Sequence, residues 1–255
     1  FAATDTRPQA LRPCVEPTAL SITVLRTGRG PAAQAGDTVY IDYTGIRSEN
    51  GQVFDNSYDR GNPLDFVLGQ GNVIDGWDRG LIGAQAGALI RLDIPADLAY
   101  GDQPQGDVIL ANDNLTFVTE VRVVVPATSS ADRPMDVTVD ASVGATEVTA
   151  YDVVEGDGAV LEEGQTAIVH AMLVRGDNRV ILTDTWSGNA PATVTLVDNS
   201  ATLPGLVTGL IGAKVGSTRV IVMPADEAYG PEGLPAMGLP PATDLNLLTD
   251  YLSDR

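Results

Sequence analysis

Residues 63–101 read PLDFVLGQGNVIDGWDRGLIGAQAGALIRLDIPADLAYG, and their pattern decides the fold. Phe66, Val67 and Leu68 form a short apolar run that Gly69 and Gly71 break, as a buried strand entering a loop would. Val73-Ile74 lead into Gly76-Trp77 and a helical pattern in which Trp77, Leu81 and Ile82 share a face, so a large apolar floor is expected there. ALIRLDIP then reads as a second strand, closing on a loop that begins with Tyr100-Gly101.

Upstream, SITVLRTG reads as a strand, and TVYIDYTGI alternates as a half-buried antiparallel strand should. Asn50-Gly51 signals a hairpin before VFDNS. Downstream, LTFVTEVRVVV completes the run of strands. Strands around one short helix make an α+β unit, a twisted antiparallel sheet wrapped on that helix. The pattern then recurs. GLIGAQAGALIRLDIPADLAYG at 80–101 returns as GLIGAKVGSTRVIVMPADEAYG at 209–230, with over half the positions identical. A period of about 129 residues is a domain duplication and not a solenoid. The expected organisation is a flexible or extended arm over residues 1–19, a domain over 20–126, a linker over 127–143 with an edge strand near Met135 to Val139, and a second domain over 144–255.

Composition excludes several functions. The chain carries 34 acidic against 15 basic residues, a formal charge of −19, and no basic cluster, so it repels phosphate and is no nucleic-acid binder. Cys14 is the single cysteine, which excludes an intrachain disulfide and leaves an exposed thiol or an intermolecular bridge. No apolar run approaches the ~20 residues that span a bilayer. Nothing in the sequence calls for a metal or another cofactor. The chain begins at Phe1, from which a removed leader or tag is expected, and with a leader an exported bacterial protein, periplasmic, cell-surface or extracellular.

In order and spacing, VYIDYTG, GQVFDNS, PLDFVLGQGNVIDGW, GLIGAQAG, RLDIPADLAYG and NLTFVTEV resemble the FKBP-type peptidyl-prolyl isomerases, from about Val39 to Val121. The resemblance implies a prolyl ring resting on Trp77, aromatic walls from Tyr43, Phe54, Phe66 and Phe117, and aliphatic ones from Val73, Ile74 and Ile109. It also implies that Ile74 offers its backbone N–H to one substrate carbonyl and Tyr100 its hydroxyl to another, with Asp55 as the buried carboxylate at the border, orienting Tyr43 or stabilising the twisted amide. Singly, such aromatics are ordinary core residues; together in this order they mark a site. Leu64, Gln105 and Leu110-Ala111 depart from the family's pattern, so the rim is less aromatic. Isomerisation of proline-containing polypeptides with shifted preference is expected, with weak binding of macrolides such as tacrolimus or rapamycin.

In the second copy Ala171 and Leu206 stand for Tyr43 and Trp77, with Thr183 and Thr195 near the places of Phe54 and Phe66, while Asp184 and Tyr229 persist. The expectation is a retained fold without catalysis. The alternative is a non-enzymatic protein, both domains serving as scaffolds in an extracellular assembly, self-associating through the arm that holds Cys14.

Overall fold

The computed structural model describes residues 7–134, 141–197 and 202–254. The edge strand expected near Met135 lies outside them. The chain divides into two compact units, residues 1–127 and 128–255.

In unit 1, strands β1 (Ser21–Arg26), β2 (Thr38–Arg47), β3 (Val53–Asn56), β4 (Leu64–Val67), β5 (Leu89–Ile94) and β6 (Leu115–Val125) form one antiparallel sheet. Its order is β1-β5-β6-β2-β3, and β4 also pairs with β2. Helix α1 (Asp75–Gly80) packs on one face, and its seat is built from glycines. A Cβ on Gly76 would stand 2.5 Å from Ile94 Cγ2, and one on Gly80 2.7 Å from Leu92 Cδ2. The four-residue spacing puts both bare positions on one helix face, so α1 settles onto β5 more closely than any side chain would allow. Trp77 and Leu81 are buried there, but Ile82 is 48% exposed: α1 ends at Gly80, so Ile82 no longer follows the helical period.

Strand β2 is buried along all ten residues, where alternation had pointed to a half-buried strand. Val39, Ile41 and Tyr43 face the core with α1. Tyr40, Thr44 and Ile46, which alternate to the other face, are buried as well. The arm supplies contacts outside the core: Arg91 donates to the Leu11 carbonyl (2.7 Å), Asn114 to the Glu16 carboxylate (2.9 Å), and Arg7 pairs with Asp59. The arm forms no helix or strand among its described residues.

Unit 2 repeats the plan with β7 (Thr149–Val154), β8 (Thr166–Arg175), β9 (Ile181–Asp184), β10 (Ala192–Thr195), α2 (Pro204–Leu210), β11 (Thr218–Met223) and β12 (Leu245–Asp254). Its sheet order is β10-β8-β12-β11-β7, with β9 also on β8. Gly205 and Gly209 again give the helix its close seat, against Met223 and Ile221. Each unit is therefore the expected α+β architecture. Among the described residues no helix is long and apolar enough to cross a membrane.

His170 belongs to unit 2. It lies on β8, 1% exposed, with its ring stacked on Trp186 at 5.3 Å. Nδ1 stands 2.8 Å from Thr185 Oγ1, and Nε2 stands 3.3 Å from Thr128 Oγ1. Burial pushes its pKa below the ordinary histidine value, and the nearby carboxylates of Asp132 and Asp184 only partly offset this. The folded state thus binds the proton less readily than the unfolded chain does. Unit 2 keeps its full stability above the unfolded value of about 6.5 and loses it as pH falls through that value, levelling off below the folded pKa. Denaturant melts between pH 7.5 and 5.5 are expected to show this loss, and His170→Phe to flatten it; an unchanged slope in the variant would assign the dependence elsewhere.

Candidate functional site

The core of unit 1 is lined with rings at one end. Trp77, the third residue of α1, directly after Gly76, is 4% exposed. Tyr43 meets it edge-on with centroids 5.0 Å apart, Phe117 edge-on at 4.9 Å, and Phe66 stacks at 5.8 Å. Phe54 completes the wall against Phe117 at 5.5 Å. These edge-to-face contacts hold the rings by about 0.5–1.5 kcal/mol each beyond burial. Ile109 is buried in the same cluster, and Val73 and Ile74 are half-buried against it.

Backbone geometry explains how these rings converge. On β2, Gly45 pairs with Asp55 and Ile46 with Val53, which leaves Phe54 as the extra residue of a β-bulge. A bulge twists the strand and re-aims its side chain, here into the room above Gly45. A Cβ on Gly45 would lie 2.6 Å from Phe54 Cζ and 2.7 Å from Phe117 Cε1. Gly45 is thus the space in which two wall rings meet, a part of the site that the sequence reading missed.

Asp55 is the site's charged member. The Tyr43 hydroxyl donates to Oδ2, Arg60 Nη1 donates to Oδ1, and the Asn56 N–H donates to Oδ1 at 2.8 Å. Arg60 Nη2 also donates to the Tyr43 oxygen at 2.8 Å, with the guanidinium carbon 5.6 Å from the Tyr43 ring centroid. Burial works to raise the Asp55 pKa, but the Tyr43 and Arg60 hydrogen bonds overcome it and hold the carboxyl below its ordinary range. Burial, then the Asp55 carboxylate, push the Tyr43 phenol up to about 12. At neutral pH the trio is a carboxylate, a neutral phenol and a guanidinium. Arg60, five residues past Asp55 on the turn after β3, was also missed; its charge near a predicted carboxylate was the available signal.

Two donors flank the rings. Ile74 precedes α1 in extended conformation, and its carbonyl accepts from the Trp77 (2.9 Å) and Asp78 (3.2 Å) N–H groups. Its own N–H has no partner among the described residues. The loop that presents it is tied down by Asp78, whose carboxylate accepts from Gly69 (2.9 Å) and Gly71 (2.7 Å). Tyr100 is 37% exposed, and burial, followed by the charge of Asp55, raises its pKa. Gly101, at φ 60°, turns the chain directly after it. Gln105 and Ile109 close their loop by backbone hydrogen bonds at 2.9 and 3.3 Å. The structure thus gathers Tyr43, Phe54, Phe66, Val73, Ile74, Trp77, Ile109 and Phe117 into one cluster, with Asp55 tied to it through Tyr43.

Unit 2 keeps the positions and changes their contents, and its register corrects three sequence assignments. Leu173 pairs with Thr183 and Val174 with Ile181, the same bulge as in unit 1, so Leu182 holds the place of Phe54 and Thr183 that of Asp55. Asp184 pairs with Met172 as Asn56 pairs with Thr44, and does not continue the Asp55 role. Its carboxylate instead accepts from the Ser187 N–H at 2.8 Å and binds Arg133 at 2.6 Å. On β10, Val194 pairs with Ala167 as Phe66 pairs with Val39, so Val194, not Thr195, replaces Phe66. Ala171, Leu206 and Leu247 take the places of Tyr43, Trp77 and Phe117, and Leu173 that of Gly45. The rings and the Asp55–Tyr43–Arg60 trio are gone; Tyr229 remains, half-buried.

The family model for the FKBP-type peptidyl-prolyl cis-trans isomerases matches residues 30–122 and 158–247. An FK506-binding protein of Streptomyces anulatus is 44% identical over 120 residues, 46% of this chain and 97% of its own length. FK506-binding protein 1A of Neurospora crassa is 46% identical over 103 residues, 40% of this chain and 85% of its own. Among solved structures, FkpA from Escherichia coli is similar at 41% identity and a TM-score of 0.38, covering 42% of this chain and 49% of that one. With the family's pattern present in both halves, the chain belongs to the FKBP-type peptidyl-prolyl cis-trans isomerases and carries two copies of the family's domain.

Proposed function

We propose that unit 1 isomerises X-Pro bonds in polypeptide clients, and that unit 2 does not. Rotation about an X-Pro amide faces a barrier of about 18–20 kcal/mol, because it breaks the resonance of the C–N bond. A site lowers it by binding the twisted amide better than the planar one. The twisted amide is less polar, so a dry ring-lined cup favours it, and no nucleophile or metal takes part. Trp77 forms the floor under the pyrrolidine, and Tyr43, Phe54, Phe66 and Phe117 exclude water. Ile74 N–H and the Tyr100 hydroxyl hold carbonyls on either side, which fixes the chain while the bond turns. Asp55, with its side chain 41% exposed where the resemblance implies a buried carboxylate, borders the cup from its solvent edge and is compensated by Arg60 and Tyr43.

The observation that carries this reading is that five rings and the Tyr43–Asp55–Arg60 trio converge in unit 1, while unit 2 has Ala171, Leu182, Val194, Leu206 and Leu247 in the places of the rings and Thr183 in that of Asp55. The test is a proline-limited refolding assay with the chain of both units. Catalytic acceleration is expected, and its absence would leave both units as scaffolds. In Tyr100→Phe one hydrogen bond worth about 1 kcal/mol is lost from the transition state, roughly a 5-fold fall in kcat/KM. Thermal stability should be unchanged, since the Tyr100 hydroxyl has no hydrogen bond among the described residues. An unaltered kcat/KM would remove Tyr100 from the mechanism. FK506 (tacrolimus), after which the Streptomyces anulatus and Neurospora crassa relatives are named, is proposed to compete for the same cup, weakly because Leu64, Gln105 and Leu110 leave its rim short of rings.

A further inference from the structure

Unit 2 keeps the sheet and helix that enclose the cup in unit 1, but not the seal. Tyr43 and Trp77 are 5% and 4% exposed, whereas Ala171 and Leu206 in their places are half-buried. Solvent therefore reaches an apolar floor that rings cover in unit 1. We propose that this depression is a second binding site, which takes a branched aliphatic side chain from an extended, positively charged polypeptide segment and holds it without isomerising it.

The chemistry of the lining selects the side chain. No flat ring remains in the place of the Trp77 indole for a pyrrolidine to rest on, and the half-buried Leu182 and Leu206 offer the rounded methyl surface that packs best against Leu, Ile or Val. Two donor positions survive for the segment's backbone. Leu203 precedes α2 in the extended conformation of Ile74 (φ −63°, ψ 127° against φ −60°, ψ 144°), and its N–H has no partner among the described residues. Tyr229 stands where Tyr100 stands. Charge selects the rest of the segment. Arg133, Arg175, Lys214 and Arg219 each pair with an acid of unit 2 at 2.6 Å. The loop around Tyr229 carries Asp226, Glu227 and Glu232, and residues 220–254 include no lysine or arginine. The field over the depression is negative and attracts cations at a range set by salt.

The experiment uses the full chain with Trp77→Ala, which removes the prolyl floor of unit 1, and with isotopically labelled leucine and valine methyls. The probe is the capped peptide Lys-Val-Leu-Val-Lys. Saturable shifts at the methyls of Leu182 and Leu206 are expected, with binding roughly tenfold weaker for Glu-Val-Leu-Val-Glu or at high salt. Ala171→Leu, which fills the floor with a residue of the kind already around it, should also weaken binding about tenfold while the methyl spectrum stays folded. Absence of saturable shifts, shifts confined to unit 1, equal binding of the acidic peptide, or full binding to a folded Ala171→Leu would each overturn the proposal. Isomerase activity, measured separately on the unsubstituted chain, reports on unit 1 alone, so neither result substitutes for the other.

Discussion

Trp77→Ala in the two-unit chain is expected to lower kcat/KM for prolyl isomerisation by roughly 60-fold or more. A pyrrolidine resting on the indole buries three methylenes, worth about 2.4 kcal/mol at ~0.8 kcal/mol each, and that energy converts to about this factor. Water entering beside the amide adds to the loss, because it favours the planar, more polar state. The same substitution removes a ring in contact with Tyr43, Phe66 and Phe117, so unit 1 should also lose about 3–5 kcal/mol of stability. Trp77→Leu separates the two effects. It installs the residue that unit 2 carries at this place and retains more of the packing, so it should stay folded at the assay temperature while remaining severely impaired. Activity near that of the unsubstituted chain in folded Trp77→Leu would mean that the floor is not where the proline sits, or that unit 2 turns over substrate after all.

The architecture and the ring set were legible in the sequence because both rest on strong local signals. The alternation and turn residues around residues 63–101 marked strands and helix, and the aromatics of unit 1 fall at spacings that leave little freedom in aligning them. Where those rings are absent the alignment slipped. Between β8 and β9 nothing bulky marks the bulge at Leu182, so Asp184 looked like the partner of Asp55 although the ladder gives that place to Thr183. Arg60 and Gly45 were missed for a different reason. Each acts through a neighbour, one by compensating Asp55 and the other by leaving room for Phe54 and Phe117, and neither residue type announces such a role. The full burial of β2 was equally invisible. Alternation along TVYIDYTGI identifies the face that meets α1, and nothing in the strand itself tells that the opposite face is covered too.

Gly45→Ala tests whether the wall rings belong to the site or only to the core. The new Cβ would stand 2.6 and 2.8 Å from two atoms of Phe54 and 2.7 Å from Phe117, well inside contact distance, so the rings must move. Phe117 has little room to yield, since it already meets Trp77 at 4.9 Å and Tyr43 at 6.1 Å. Phe54 is half-buried and is the ring expected to swing outward, opening the wall to water. Overpacking of this kind costs about 1–3 kcal/mol, and an ångström-scale displacement in the wall costs on the order of 100-fold in rate. Gly45→Leu, the residue of unit 2, should exceed both. The matching change in unit 2, Leu173→Ala, removes buried methyls and should cost about 2–4 kcal/mol of that unit's stability while leaving isomerase activity untouched. A folded Gly45→Ala protein with undiminished turnover would show that Phe54 and Phe117 do not shape the bound amide. The proposed division of labour between the units would then need a cause other than the exchange of glycine and rings for leucines.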